Sequence, residues 1–337
     1  MSSTQTSIKL LRLVQSQRVT AVIYVAAKLG IAELLRDGSR PLGELVEATG
    51  ANKQALGRLL IALSTIGICT VAEERYALTE LGACLDGAAT QSLKNWTIFE
   101  GQFLARSWTG LLNSIMTGKT AAQRLGLENS FDLMARDPEM VGIFNAAMME
   151  GTRLTIPDIL RAYDFSAFAH LMDVGGGSGE LLGAIAGQYP HIRGTIFDLP
   201  RCAESATGHL MRIGLSDRVK FMAGDFFQTI PSIADAIVMK NIIHDWSDER
   251  SLAILANCRR ALPEGGVLLL VERIMPEFPN LSDEHREQAL SDLLMLRGPG
   301  GLERTEKKYA SLFRESGFTH TATCPAGRLS VIEAKAG

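Results

Sequence analysis

His244 stands in IVMKNIIHDWSDE, where an apolar run gives way to residues that can move protons. An imidazole titrates near 6.5, so at neutral pH it can take a proton from a hydroxyl and give it up again. Asp245 and Trp246 follow it directly. Two other carboxylates could partner the ring. Glu272 ends the run GGVLLLVERI, a place where an unpaired charge is expensive. Glu303 lies in GPGGLERT, a glycine-rich loop able to approach a site closely. A carboxylate on one ring nitrogen fixes the tautomer and raises the basicity of the imidazole. A surface salt bridge is the alternative for each carboxylate, and the apolar run before Glu272 argues against it there.

A second stretch, LMDVGGGSGE at 171–180, reads as a buried strand, a glycine-rich turn and the start of a helix. Such a turn, first in a doubly wound α/β domain, binds nucleoside cofactors. A dinucleotide fingerprint needs a third glycine where this chain has Glu180, and a carboxylate there would repel a pyrophosphate. The spacing is instead Gly175-x-Gly177-x-Gly179, with Asp173 upstream and no Lys or Arg in the turn. That suits a cofactor without phosphate that carries positive charge, and S-adenosylmethionine, with its sulfonium and ammonium, meets both conditions. On the glycines alone, a nicotinamide dinucleotide and a merely structural turn remain alternatives.

Later strand ends carry further candidates. Asp198 closes GTIFDLP, 23 residues after Gly175, where an acidic residue accepts hydrogen bonds from a ribose diol. Its alternative role is to cap the helix after Pro200. Asp225 in MAGDFF is placed to meet an adenine amino group, and Phe226 to cover the ring. With a sulfonium donor, methyl transfer is an in-line displacement in which the enzyme aligns the acceptor and removes its proton. A phenol near 10 is uphill from a free imidazole by about 4–5 kcal/mol. A carboxylate partner and concerted proton transfer would close most of that gap.

These residues need a sheet to position them. Strands are expected at 170–175, 194–199, 219–225, 234–241, 265–274, 318–326 and 329–335, with helices between the first six. The last two are separated by a short turn and must pair antiparallel. The expected fold class is therefore α/β, a mostly parallel Rossmann-like sheet ending in an antiparallel strand, preceded by a helical winged-helix domain. Three regions are expected: a winged-helix-like domain over 1–95, a helical bridge over 96–160, and a catalytic domain over 161–337. In the first, Leu56, Leu59, Leu60 and Leu63 line one helix face, and ICTVAEERYALT reads as a hairpin. The helix ANKQALGRLLIALS offers only Lys53 and Arg58 to phosphates, so packing or dimerisation suits it better than DNA.

The 337 residues carry a net charge of −3, which gives no basic footprint for nucleic acid. Five scattered cysteines contain no C-x-x-C pair, so neither a zinc site nor a disulfide framework is expected. MSSTQTSIKL lacks the basic-then-apolar pattern of a signal peptide, and no apolar run is long enough to span a membrane. A cytoplasmic protein is expected.

The ordered set FNAAM (144–148), DVGGGSG (173–179), FDLP (197–200), GDFF (224–227), KNIIHDWSDE (240–249), VERI (271–274) and GPGGLERT (298–305) resembles the plant caffeic-acid-type and bacterial small-molecule O-methyltransferases. This is a class I family dependent on S-adenosylmethionine, and the resemblance covers nearly the whole chain. It implies cofactor contacts from Gly175, Asp198, Asp225, Phe226 and Lys240, and S-adenosylhomocysteine as product. It implies His244 as general base, bracketed by Glu272 and Glu303. It places Phe144 and Met148 against the substrate and donor methyl, and Trp246 and Arg297 are assigned to the substrate with them. It also implies a homodimer with interlocking N-terminal regions.

Plant members often carry an asparagine just before the Pro-Gly-Gly, where this chain has Gly298 preceded by Arg297. The expected acceptor is therefore a hydroxyl of an aromatic bacterial metabolite such as a polyketide or phenazine. Arg297 either meets an acidic group on it or is a solvated loop residue. Three other readings compete. One is a winged-helix ligand sensor that binds DNA. Another is a member repurposed for cofactor-assisted hydroxylation or decarboxylation, which retention of His244, Glu272 and Glu303 argues against. The third is a metal-dependent enzyme using Asp245, Asp248 and Glu249. The last two of those residues are better explained as opening a helix, where negative charge is favoured, and no metal is expected.

Overall fold

In a computed structural model that describes residues 3–127 and 129–337, the chain forms two compact units. One comprises Met1–Thr109 and Asp137–Gly151, the other Gly110–Arg136 and Thr152–Gly337. The stretch 96–160 is thus divided between them.

In the first unit, the apolar run after residue 13 forms the helices Gln17–Lys28 and Ile31–Leu35, which break at Gly30. Helix Leu42–Thr49 leads through a glycine turn into helix Lys53–Thr65, whose N-terminus is capped by Asn52 accepting from the Ala55 amide. Leu56, Leu60 and Leu63 are buried, and Leu59 packs against the same core. A three-stranded sheet completes the unit. Its strands are β1 (Arg40–Pro41), β2 (Cys69–Ala72) and β3 (Arg75–Leu78), in the order β1-β3-β2. The hairpin β2–β3 matches the sequence reading. Strand β1, two residues long, is too short to leave an alternating pattern and was not anticipated.

The second unit is built on seven strands: β4 (His170–Val174), β5 (Arg193–Asp198), β6 (Val219–Ala223), β7 (Ala236–Lys240), β8 (Val267–Glu272), β9 (Phe318–Ala326) and β10 (Leu329–Ala336). Their order is β6-β5-β4-β7-β8-β10-β9. The first five run parallel, and β10 pairs antiparallel with both β8 and β9. Alternate residues bury opposite faces, as a pleated strand covered on both sides requires. Leu268 and Leu270 join one core, Leu269 and Val271 the other.

One expectation fails. No helix forms over 224–235, between β6 and β7. Asp225 instead draws the chain into a turn, its Oδ1 accepting from the Phe227 amide at 2.9 Å, and Pro231 lies ahead. Strand order reverses at β4, flanked by β5 and β7. Ligands in open α/β sheets bind outside the carboxyl ends of the strands at such a switch point.

Candidate active site

The glycine turn leaves β4 at this switch point. Gly175 has φ 75°, and its amide donates to the Phe197 carbonyl at 2.8 Å. A Cβ there would sit 2.4 Å from Ile242 Cδ1, which would have to shift, and the positive φ would strain any L side chain, so glycine suits the position. Asp198, at the end of β5, reaches back to the turn. Its Oδ2 accepts from the Gly177 amide at 2.8 Å and its Oδ1 from the Leu199 amide at 2.6 Å. The short helix Pro200–Cys202 has no side-chain cap, so the capping alternative for Asp198 falls away. An ionised carboxylate has about four acceptor positions, so a ribose diol can still be bound.

Beneath the turn, Asp173 is buried and its carboxyl is pushed up to about 7 by burial and then by Asp198. Burial pushes the Lys240 ammonium down to about 8 against the pull of Glu272 and Asp173, and its Nζ lies 3.2 Å from Thr152 Oγ1. Glu180 pairs with Arg153 at 2.7 and 3.0 Å and with His209 at 3.3 Å. Its charge is compensated, so repulsion by Glu180 is not by itself what disfavours a pyrophosphate. The lack of a cationic side chain in the turn and the buried Asp173 carry that argument instead.

His244 sits on the short turn Ile243–Asp245 that follows β7 and is buried. Its Nδ1 lies 3.1 Å from Glu303 Oε1 and 3.8 Å from Glu272 Oε2. Both carboxylates therefore approach the same ring nitrogen rather than flanking the ring. Nε2 lies 3.6 Å from Asp245 Oδ1. Glu303 Oε1 also accepts from Ser291 Oγ at 2.7 Å, and the Glu303 amide donates to Asp292 Oδ1 at 2.9 Å. Glu272 is fully buried, and its Oε1 accepts from the Ile242 and Ile243 amides at 3.0 and 2.8 Å. Burial alone would lower His244, but Glu272, Asp245 and Glu303 outweigh it and hold the ring at about 9. Burial raises Asp245 to about 7 and raises Glu272; for Glu303 burial also pushes upward, but the hydrogen bonds from His244 and Ser291 and the charges of His244 and Arg273 together hold it below its ordinary value.

Of the other candidates, Phe226 packs against Phe227 with ring centroids 4.9 Å apart and the planes tilted by 57°. Trp246 is buried, with its ring edge-on to Phe227 at 4.7 Å. Arg297 ends the helix Asp283–Arg297 and is 4% exposed, so it is not a solvated loop residue. Phe144 and Met148 lie one turn apart on the helix Pro138–Ala162, with the Phe144 ring against Phe99 at 5.5 Å. Asp248 opens the helix Asp248–Ala261 and pairs with Arg304 at 2.9 Å and Lys308 at 2.7 Å. Sequence reading gave Asp245 no role beside Nε2; its adjacency to His244 was the available signal. It also missed Arg304, which follows Glu303.

Residues 108–319 match the O-methyltransferase domain, and residues 11–86 the O-methyltransferase dimerisation domain. The phenazine O-methyltransferase PhzM of Lysobacter antibioticus is 38% identical over 97% of this chain and 95% of its own length. The chain belongs to this O-methyltransferase family. The aclacinomycin 10-hydroxylase RdmB of Streptomyces purpurascens is also similar, at 36% identity over 88% of this chain and 80% of its own. A solved structure of the O-methyltransferase NcsB1 from neocarzinostatin biosynthesis, in complex with S-adenosylmethionine and 2-hydroxy-5-methyl naphthoic acid, is 30% identical, with a TM-score of 0.79. That match covers 95% of this chain and 96% of the other. The cofactor of this O-methyltransferase is S-adenosylmethionine, which carries no phosphate and suits a turn without cationic side chains. Among the described residues, no helix is long and apolar enough to cross a membrane.

Proposed function

We propose that this O-methyltransferase methylates a hydroxyl of an aromatic bacterial metabolite, with His244 as general base and no metal. When bound, the cofactor supplies a methyl group on a sulfonium, whose leaving group departs neutral. The chain's own residues do the rest. Gly175, Asp198, Asp225, Phe226 and Lys240 hold and orient the cofactor. Phe144 and Met148 share one stripe of their helix and face the acceptor; Trp246 backs the aromatic wall and Arg297 meets an acidic substituent. Glu303 holds the Nδ1 proton, which leaves Nε2 to take the hydroxyl proton as the oxygen attacks.

The observation that carries this reading is the 3.1 Å contact from His244 Nδ1 to Glu303 Oε1. A ring at about 9 stands only about one unit below a phenol, so proton transfer is uphill by about 1.4 kcal/mol rather than 4–5. The domain boundaries 1–95, 96–160 and 161–337, a homodimer through the first of these, no nucleic-acid partner and a cytoplasmic location complete the proposal.

The test is a panel of phenols, including aromatic hydroxy acids, assayed with labelled cofactor. Methylated product forming in step with S-adenosylhomocysteine is expected. The hydroxylase relative motivates the one rival reading, and an oxygenated, unmethylated product would establish it instead.

A further inference from the structure

The turn that carries His244 is held from both ends. Its amide end is fixed by Glu272, which accepts from the Ile242 and Ile243 amides. Its carbonyl end is fixed by Arg304. The Arg304 side chain is fully buried, and all five of its N–H donors have a partner. Nη1 donates to the Ile243 carbonyl at 2.9 Å and the Leu302 carbonyl at 3.3 Å. Nη2 donates to the Trp246 carbonyl at 2.7 Å and Ser251 Oγ at 3.2 Å. Nε donates to Asp248 Oδ1 at 2.9 Å. Ile243 and Trp246 stand on either side of His244 in the chain.

Burying a guanidinium costs more than most ion pairs return, and its carboxylate partner among the described residues, Asp248, is 38% exposed. The charge is therefore poorly explained as a stabilising ion pair. Its planar fork does something an ammonium cannot, because it spans two backbone carbonyls in a fixed geometry. We propose that Arg304 is a positioning residue for methyl transfer, holding the carbonyl end of the His244 turn while Glu272 holds its amide end. This rests on the reading of His244 as the base.

A misplacement of about 1 Å costs about 10²-fold in rate. Arg304→Ala should therefore lower kcat by about that factor while leaving the KM for S-adenosylmethionine and the calorimetric affinity for S-adenosylhomocysteine unchanged. Ethylguanidinium at millimolar concentration should restore at least part of the lost kcat. Arg304→Lys should not recover it. If Arg304→Ala does not fold, Asp248→Ala decides the matter, with Lys308→Ala beside it. Asp248→Ala removes the acceptor at Nε and also releases Lys308. It should lower kcat several-fold at unchanged cofactor affinity, whereas Lys308→Ala should keep full kcat. Full kcat in folded Arg304→Ala or Asp248→Ala overturns the proposal, as does a loss that appears equally in cofactor affinity or that ethylguanidinium leaves unrelieved in Arg304→Ala. His244→Ala is assayed in parallel. If it is active, the base reading has failed and the proposal with it. If it is inactive while the Arg304 variants keep full kcat, only the positioning role has failed.

Discussion

Three carboxylates converge on one imidazole at His244, and the proposed base is therefore held well above its ordinary value. With the ring held at about 9, only about 1% of it is neutral at pH 7. kcat/KM should therefore climb about tenfold per pH unit and level off near pH 9, and a profile flat above about pH 7 would contradict the base role. The sign for stability is opposite. A raised pKa stabilises the folded state fully below the ordinary imidazole value of 6.5, and that contribution is lost as pH rises through about 9. Asp245, raised to about 7, acts in the same direction over a lower range. His244→Ala should lower turnover by about 10²–10⁴ while sparing cofactor affinity, measured by steady-state kinetics beside calorimetry. Asp198 differs, because it ties down the glycine turn through Gly177 in addition to its proposed ribose contact. Asp198→Ala should weaken S-adenosylhomocysteine binding by about 1.5–3 kcal/mol, and unchanged affinity would remove it from the cofactor site.

Among elements, the decisive contact is between the loop GPGGLERT and the turn after β7. Leu302 donates its amide to the His244 carbonyl at 2.9 Å. A Cβ at Gly301 would lie 2.0 Å from that carbonyl oxygen and 2.5 Å from the Trp246 amide nitrogen. All of these are backbone atoms, so something must move. Gly301→Ala should cost about 1–3 kcal/mol of stability through overpacking. It should also depress kcat more than the KM for the cofactor, because the displaced element carries His244 and not the glycine turn. Thermal unfolding with paired kinetics checks this, and wild-type kcat in a folded variant would show that the turn yields without consequence.

For the whole molecule, the first unit exposes apolar side chains that a solvated surface does not need. Leu10, Leu11, Leu13 and Val14 are 62, 52, 60 and 65% exposed within the match to the dimerisation domain or at its margin. A homodimer burying over about 2,000 Å² in total is expected, as obligate dimers show, and light scattering that reports a monomer at micromolar concentration would refute it. Metal independence is also an expectation for the whole enzyme. Asp248 is already engaged by Arg304 and Lys308, so activity should survive exhaustive EDTA treatment. Loss of activity that magnesium restores would mean the acidic run binds metal.

The strands of the large sheet were legible in the sequence because apolar periodicity and turn residues are local signals. The antiparallel end followed from a turn too short for a crossover. That the glycine turn, Asp198 and His244 stand at strand ends on one edge of the parallel sheet was legible from the same local signals. What the sequence did not determine is which atoms meet. Glu272 and Glu303 lie 31 residues apart, and only the folded sheet and loop bring both to the same nitrogen of His244. The missing helix over 224–235 was decided by the hydrogen bond from Phe227 to Asp225, and strand β1 by pairing with β3. Arg304 looked like one cation among many. Its role depends on carbonyls about 60 residues earlier in the chain, and such long-range hydrogen bonds leave no periodic trace in the sequence.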